Sequence, residues 1–385
     1  MTKRISGTYV SSIAGGEKVR AFVPKALPPS RPALNLNEEI NETLFSALGS
    51  LKTLNLASKM VPDTNWFIYG FVRKEAVLSS QIEGTQASLF DLFESEDVAE
   101  SGELTEDVEE VCNYVHAIDF GLKQLRSKGG LPLSLRLIRE LHKQLMKGVR
   151  GEHKSPGQFR KSQNWIGGTR PGNAKFVPPP HERMPKCLEQ LEKYLHSKSK
   201  LPALVRVGLI HAQFETIHPF LDGNGRVGRL LIALIMNDWK LLDSPLLYLS
   251  LYFKRHQQEY YSRLNGIRTE GDWESWIQFF LEGVDTVSTE ATQLAQDLYA
   301  ITRNHNAEVL AYRKSTLAAV RLLELLPANP IISLPRAVSL LKTTKPTAVK
   351  TISLLEELGI LKEITGKKRD RKYSYATYLS ALGAE

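Results

Sequence analysis

One short run near the middle of the chain gathers most of its chemically able residues: His218-Pro219-Phe220-Leu221-Asp222-Gly223-Asn224-Gly225-Arg226-Val227-Gly228-Arg229. His218 is an imidazole whose ordinary pKa lies near neutrality, which suits a general base. Asp222 is a hard oxygen ligand of the kind that holds Mg²⁺ together with phosphates. Gly223, Asn224 and Gly225 form a small-residue loop ahead of an apolar helical stretch, Leu230 to Met236. Backbone N–H groups at such a helix start converge on one point with the helix dipole behind them, which makes an anion cradle. Arg226 and Arg229 lie three residues apart, share a helix face and can reach one anion. Read as chemistry, this is a nucleotide phosphate site with a general base at its edge.

The run resembles the Fic-family motif His-x-Phe-x-(Asp/Glu)-Gly-Asn-Gly-Arg-x-x-Arg, with every defined position met. The resemblance implies transfer of AMP from ATP to a Ser, Thr or Tyr hydroxyl of a target protein. His218 would then take the hydroxyl proton, and Asp222 would hold Mg²⁺ against the α- and β-phosphates. Gly223, Asn224 and Gly225 would supply the anion hole. Arg226 would neutralise the leaving pyrophosphate and Arg229 would reach the γ-phosphate, with Val227 and Gly228 in the same nucleotide-binding stretch. Such chemistry is mostly positioning and charge stabilisation. Phe220 reads as a core anchor for the loop. The related Doc branch, which phosphorylates, carries Lys where this chain has Gly225, so Gly225 favours nucleotide transfer. UTP and CDP-choline stay open as alternative donors.

Upstream, Ser79-Ser80-Gln81-Ile82-Glu83-Gly84 resembles the Fic inhibitory pattern (Ser/Thr)-x-x-x-Glu-(Gly/Asn). The stretch from Phe71 is compatible with a helix, and Gly84 suits a helix C-terminus. The resemblance assigns Ser79, Glu83 and Gly84 to an inhibitory segment in which Glu83 pairs with Arg229 and misplaces ATP. A third stretch, Gln158 to Thr169 followed by Phe176-Val177-Pro178-Pro179-Pro180, reads as a short hairpin. It is similar to the Fic flap, whose backbone pairs with a target segment, and it would bring Ile166, Gly167, Gly168 and Thr169 near the nucleotide. Tyr260 and Tyr261 fall in a helical stretch after the motif, where similar Fic proteins place a nucleotide-contacting tyrosine; the resemblance favours Tyr260 as the adenine contact, with core packing the alternative for either ring.

These groups need a scaffold, and the periodicity predicts a mostly α fold. Glu38–Ala57, Glu106–Lys128, Ser134–Gly148, Met184–Lys198 and Leu201–Thr216 have helix-like apolar spacing, with Ser134 an N-cap. Pro28 to Pro32 reads as a loop or extended arm, and Ser95 to Glu106 as an acidic loop. The expected architecture is a Fic-type helical bundle with a β-hairpin flap. Its divisions are an N-terminal helical region (1–105), a catalytic domain (106–290), a linker helix (291–312) and a C-terminal module (313–385). The family resemblance runs over roughly Met1 to Leu281.

The C-terminal module reads as a winged helix-turn-helix. Thr316 to Leu326 forms a helix ended by Pro327, Ser333-Leu334-Pro335 opens a second, and Pro346 to Gly359 makes a third. Ile360–Ile364 and Lys372–Tyr375 flank a turn with Lys367, Lys368, Arg369, Arg371 and Lys372. Such a wing could grip DNA phosphates, though the third helix offers few base-reading side chains, so dimerisation or target recruitment ranks ahead of DNA.

The 385 residues, 42% hydrophobic, suffice for two or three domains, and the formal net charge of +8 suits anionic ligands. Cys112 and Cys187 suggest neither a disulfide framework nor a metal knuckle, and no apolar run is long enough to span a bilayer. A cytoplasmic enzyme using ATP and Mg²⁺ is expected, self-restrained, and a homodimer by resemblance. Removal of AMP from a modified target is the reverse possibility. The alternative is an ATP-sensing DNA-binding regulator, which the intact His218 disfavours.

Overall fold

The computed structural model describes residues 4–60, 64–97, 104–149 and 153–384. The chain opens on an antiparallel hairpin, β1 (Gly7–Ala14) and β2 (Glu17–Pro24), where a helical region was expected. Gly15 and Gly16 turn it, both at positive φ (52° and 82°), the conformation that two-residue hairpin turns require and glycine supplies. The proline-rich arm follows, with one bridge between Ser30 and Ala33.

Helices α1 (Glu38–Met60), α2 (Thr64–Ile82), α3 (Leu89–Asp97), α4 (Glu106–Arg126) and α5 (Leu135–Leu145) come next. Helix α3 takes up Ser95, Glu96 and Asp97, which were expected in a loop, and 98–103 lie outside the described residues. Ser134 caps α5 by accepting from Leu137 N at 3.3 Å, a contact that contributes about 1 kcal/mol. Leu137, Ile138, Leu141 and Leu145 form its buried stripe.

After α6 (Met184–His196) come the two central helices, α7 (Ala203–Ile217) and α8 (Asn224–Asp238). Both are buried on nearly every side, so the loop between them hangs from the least movable part of the core. Helices α9 (Ser250–Arg255), α10 (Gln257–Glu270) and α11 (Trp273–Ala311) follow. Helix α11 is uninterrupted, so the expected division at 290 falls inside a helix, and α1 packs along it.

The C-terminal elements are α12 (Leu317–Leu325), β3 (Ile331–Ser333), α13 (Leu334–Leu341), α14 (Lys345–Glu357), β4 (Lys362–Glu363), β5 (Lys372–Ser374) and α15 (Ala376–Leu382). The strands form an antiparallel sheet in the order β3-β5-β4, with β3 and α15 additional to the sequence reading. This unit shares the main hydrophobic core instead of standing apart. Trp66 of α2 meets Tyr378 edge-on at 6.1 Å, and Lys74 of α2 donates to Leu382 O at 3.0 Å. Asp97 of α3 accepts from Ser333 N at 2.8 Å. Among the described residues no helix is long and apolar enough to cross a membrane.

Candidate active site

His218 leaves the end of α7 in the left-handed region, φ 49°, and Pro219 then bars further helix. Asn224 closes the loop: its Oδ1 accepts from Phe220 N at 2.8 Å and its Nδ2 donates to Phe220 O at 2.9 Å. Phe220 is fully buried and stacks on His142, centroids 3.8 Å apart. His142 also sets the other side of the loop. Its Nδ1 accepts from Gly157 N at 2.8 Å, so its Nε2 carries the proton donated to Asp222 O at 3.0 Å. Desolvation pushes the His142 pKa down to about 4, in keeping with a neutral ring.

Gly223, at φ 72°, turns the chain into α8, whose first N–H groups face out of the helix start. The Asp222 side chain is 45% exposed, its Oδ1 accepting from Gly223 N at 2.6 Å and lying 3.9 Å from Arg226.

The His218 ring is half-buried, and its Nδ1 has no hydrogen-bond partner among the described residues. Desolvation, then Arg160 and Arg268, push its pKa down to about 3 against a smaller upward pull from Glu83. It is therefore a neutral imidazole at ordinary pH. Arg160, 3% exposed, holds the backbone here. It donates to His218 O at 2.9 Å, Pro179 O at 2.5 Å and Ser162 O at 3.1 Å. Asn164 donates to Phe220 O at 3.0 Å. The expected flap hairpin reduces to one bridged pair, Ile166 with Phe176. Gly167 and Gly168 at positive φ and the prolines at 178–180 interrupt any longer ladder. Ile166 is half-buried, while Gly167, Gly168 and Thr169 are exposed.

Arg229 and Arg226 point into the protein and both are occupied. Arg229 donates to Glu83 Oε1 at 2.7 Å, to Ser79 Oγ at 2.9 Å and to Ser79 O at 2.9 Å. Burial is the largest single influence on the Glu83 pKa and raises it, but the charge and hydrogen bond of Arg229, with the charge of Arg226, together outweigh it and the carboxyl sits below its usual range. Gly84, at φ 104°, turns the chain directly after Glu83. Arg226 lies 2.5 Å from Glu110 of α4, and Thr85 donates to the same Glu110 oxygen at 3.2 Å. Val227 is buried in the core, and Gly228 O meets His211 Nδ1 at 3.1 Å.

Tyr260 does not reach this surface. It is 1% exposed, with its hydroxyl 2.9 Å from His211 Nε2. Against the expectation of an adenine contact at Tyr260, the neighbouring Tyr261 is the open ring, 48% exposed. One helical position separates a core face from a solvent face, and no periodic pattern distinguishes the two tyrosines. Glu110, His142 and Arg160 went unrecognised in the sequence, because nothing in their own neighbourhood marks them.

The structure thus brings together His218, the helix-start N–H groups of α8, Arg226, Arg229 and the Glu83 carboxylate just beyond α2. Residues 132–236 match the Fic/DOC family, and residues 42–123 match its N-terminal region. The chain carries a Fic/DOC domain and the N-terminal region that accompanies it. The first Fic match contains the motif loop and flap, the second Ser79, Glu83 and Gly84. A probable protein adenylyltransferase of Aquifex aeolicus is 36% identical over 107 residues, 28% of this chain and 31% of that protein. The protein adenylyltransferase Fic of Drosophila virilis is 27% identical over 192 residues, 49% of this chain and 34% of its own length. The chain therefore spans about a third of the curated relatives it matches. In fold it is similar to a Fic family protein from Desulfovibrio desulfuricans, with a TM-score of 0.55 at 20% identity, covering 89% of this chain and 97% of that one. Fic-1 from C. elegans gives a TM-score of 0.50 at 22% identity, over 69% and 73%.

Proposed function

We propose that the chain is a self-restrained protein adenylyltransferase that moves AMP from ATP to a protein hydroxyl. The observation that carries this reading is the Arg229–Glu83 contact across α2 and α8, 2.7 Å long, beside a complete motif loop. His218 takes the proton of a Ser, Thr or Tyr hydroxyl. The freed oxygen attacks the α-phosphorus of ATP, the bond to the β-phosphate oxygen breaks, and pyrophosphate leaves. The N–H groups of Gly223, Asn224 and Gly225 and the guanidinium of Arg226 hold the developing charge. Glu83 occupies the partner position on Arg229 that a γ-phosphate needs, so ATP in a productive pose must displace it. Gly225 supports nucleotide transfer over phosphorylation, as do the names of the relatives.

Mg²⁺ fits this site. A cavity of about 200 Å³ beside the loop is lined by Glu83, Glu106, Asp107, Glu110 and Asp222, with Arg226. A polyphosphate enters so acidic a pocket with a cation to screen it. Mg²⁺ uses one or two carboxylates plus phosphate oxygens, and the half-exposed Asp222 would hold it. When bound, it supplies charge neutralisation on the phosphates.

Hydrolytic removal of AMP from a modified target uses the same groups, with Glu83 orienting water. The C-terminal unit we read as a winged-helix docking module. Its exposed Lys367, Lys368, Arg369 and Arg371 offer an electrostatic footing for DNA. Homodimerisation has a candidate face on α1, where Phe45 and Leu56 are 72% and 54% exposed.

The test uses ATP labelled at the α-phosphate with wild type, Glu83→Gly and Glu83→Gly/His218→Ala. Label on protein in the single variant and none in the double variant is the expected result. Equal labelling in both variants would remove the general-base role.

A further inference from the structure

Strand β1 has the sequence Gly-Thr-Tyr-Val-Ser-Ser-Ile-Ala over Gly7–Ala14, with no charge and no proline. Among the described residues it pairs with β2 alone. The direction of its unpaired groups follows from the register. Phe22 N donates to Val177 O at 2.9 Å, so Phe22 turns its backbone away from β1. Tyr9 is the residue opposite Phe22, so it too turns its N–H and C=O outward, and Ser11 and Ile13 repeat this by alternation. An edge of this kind normally carries lysine, proline or a bulge against stray pairing. Here it carries Tyr9 and Ile13, 43% and 68% exposed.

Beside this edge runs a groove of about 670 Å³ between β1 and the segments 161–163 and 180–183. Its exposed cations, Lys161 and Arg183, have no carboxylate partner among the described residues, whereas Glu182 faces its own neighbour His181 at 3.3 Å. Arg20 and Lys18 of β2 stand opposite Ser11 and Ile13, so the strand face next to the edge is basic as well. The groove is tied to the motif loop by one stretch of chain. Gln163 accepts from Ser12 Oγ at 3.2 Å, while Arg160 and Asn164 on either side bond His218 O and Phe220 O.

We propose that the open edge of β1 receives an extended, acidic segment of the protein that is modified, laid antiparallel or parallel as a third strand. Backbone pairing with Tyr9, Ser11 and Ile13 gives affinity with little demand on sequence. Lys161, Arg183, Arg20 and Lys18 select carboxylates along it. The segment's role as substrate rests on the AMP-transfer reading; its binding does not.

The test is fluorescence anisotropy of short labelled peptides with the full chain, without ATP. One peptide alternates Thr and Val with Glu around a central Ser. A second has Lys for each Glu, and a third is interrupted by Pro. The acidic peptide is expected to bind about tenfold tighter than the lysine peptide, with the proline peptide weakest. Ser11→Pro removes an outward N–H without touching a β1–β2 bond, and it is expected to abolish binding of the acidic peptide. Lys161→Glu/Arg183→Glu leaves the hairpin intact and is expected to abolish the preference for acid. Equal affinity for the acidic and basic peptides overturns the proposal, as does unchanged binding in both variants. So does a chain that sediments as a dimer, becomes a monomer on Ser11→Pro and binds peptide as before. Acidic-peptide binding in His218→Ala is expected to match wild type, so a failure of AMP transfer and a failure of docking are read separately.

Discussion

Gly225 and Glu83 share one space: a Cβ on Gly225 would overlap Glu83 Oε1. The bare Cα of Gly225 is therefore what lets the Glu83 carboxylate reach Arg229. A methyl group there must push away the end of a flexible side chain. Gly225→Ala is expected to raise AMP transfer over wild type and to add nothing, or to reduce transfer, in a Glu83→Gly background. A double-mutant cycle on initial rates reads this non-additivity.

Glu83→Gly itself is expected to raise AMP transfer tenfold or more and to lower stability by about 1–3 kcal/mol, discounted because the Glu83 side chain is 39% exposed. The reason is the same for both effects: Arg229, buried at 3% exposure, loses its counter-charge. ATP with Mg²⁺ should then raise the melting temperature of the variant more than that of wild type. Thermal denaturation with and without nucleotide checks it.

The Arg226–Glu110 pair is buried on both sides, 4% and 9% exposed. Glu110→Ala strands a guanidinium, and a loss of about 3 kcal/mol is expected. Part of that loss should return on adding inorganic pyrophosphate, an anion that can partner Arg226. Denaturant titrations of both proteins, with and without pyrophosphate, measure the recovery.

His218 has a folded pKa of about 3 against an ordinary 6.5. Between these values the unfolded chain binds the extra proton, so the stability this ring contributes is complete above pH 6.5 and is lost as pH falls toward 3. His211, also at about 3, and His142, at about 4, act in the same sense. Glu75 and Glu215, raised by burial to about 7, act oppositely: their contribution is complete below about 4.5 and disappears as pH rises through 7. His218→Asn is expected to flatten the fall in stability between pH 6 and 4 by about one proton. On the AMP-transfer reading, His218 as proton acceptor stays neutral from pH 5 to 8. The kcat/KM profile of Glu83→Gly should show no acid limb near 6.5, and an inflection there would contradict a desolvated base.

The motif residues were legible because a loop that cradles an anion uses neighbours in sequence. Glu83 was legible through a short pattern, although its approach to Arg229 comes from the packing of α2 against the core. Glu110, His142 and Arg160 reach the loop from separate elements, and their meeting is decided by tertiary packing that no local window contains. The hairpin had a signal in Gly15-Gly16 between two extended runs. The two tyrosines of α10 differ by one helical step, and the burial of Tyr260 depends on where His211 stands.

Trp66, Gly70 and Lys74 lie along one helix with Ser79, Glu83 follows its last residue, and the first three rest against Tyr378 and Leu382. A shortened chain ending near residue 312 would therefore not be a lighter catalyst with the same settings. It would uncover Trp66 on the very helix that leads to Glu83. Solubility, melting behaviour and basal labelling would shift together, and none of those shifts would report what the missing segment binds.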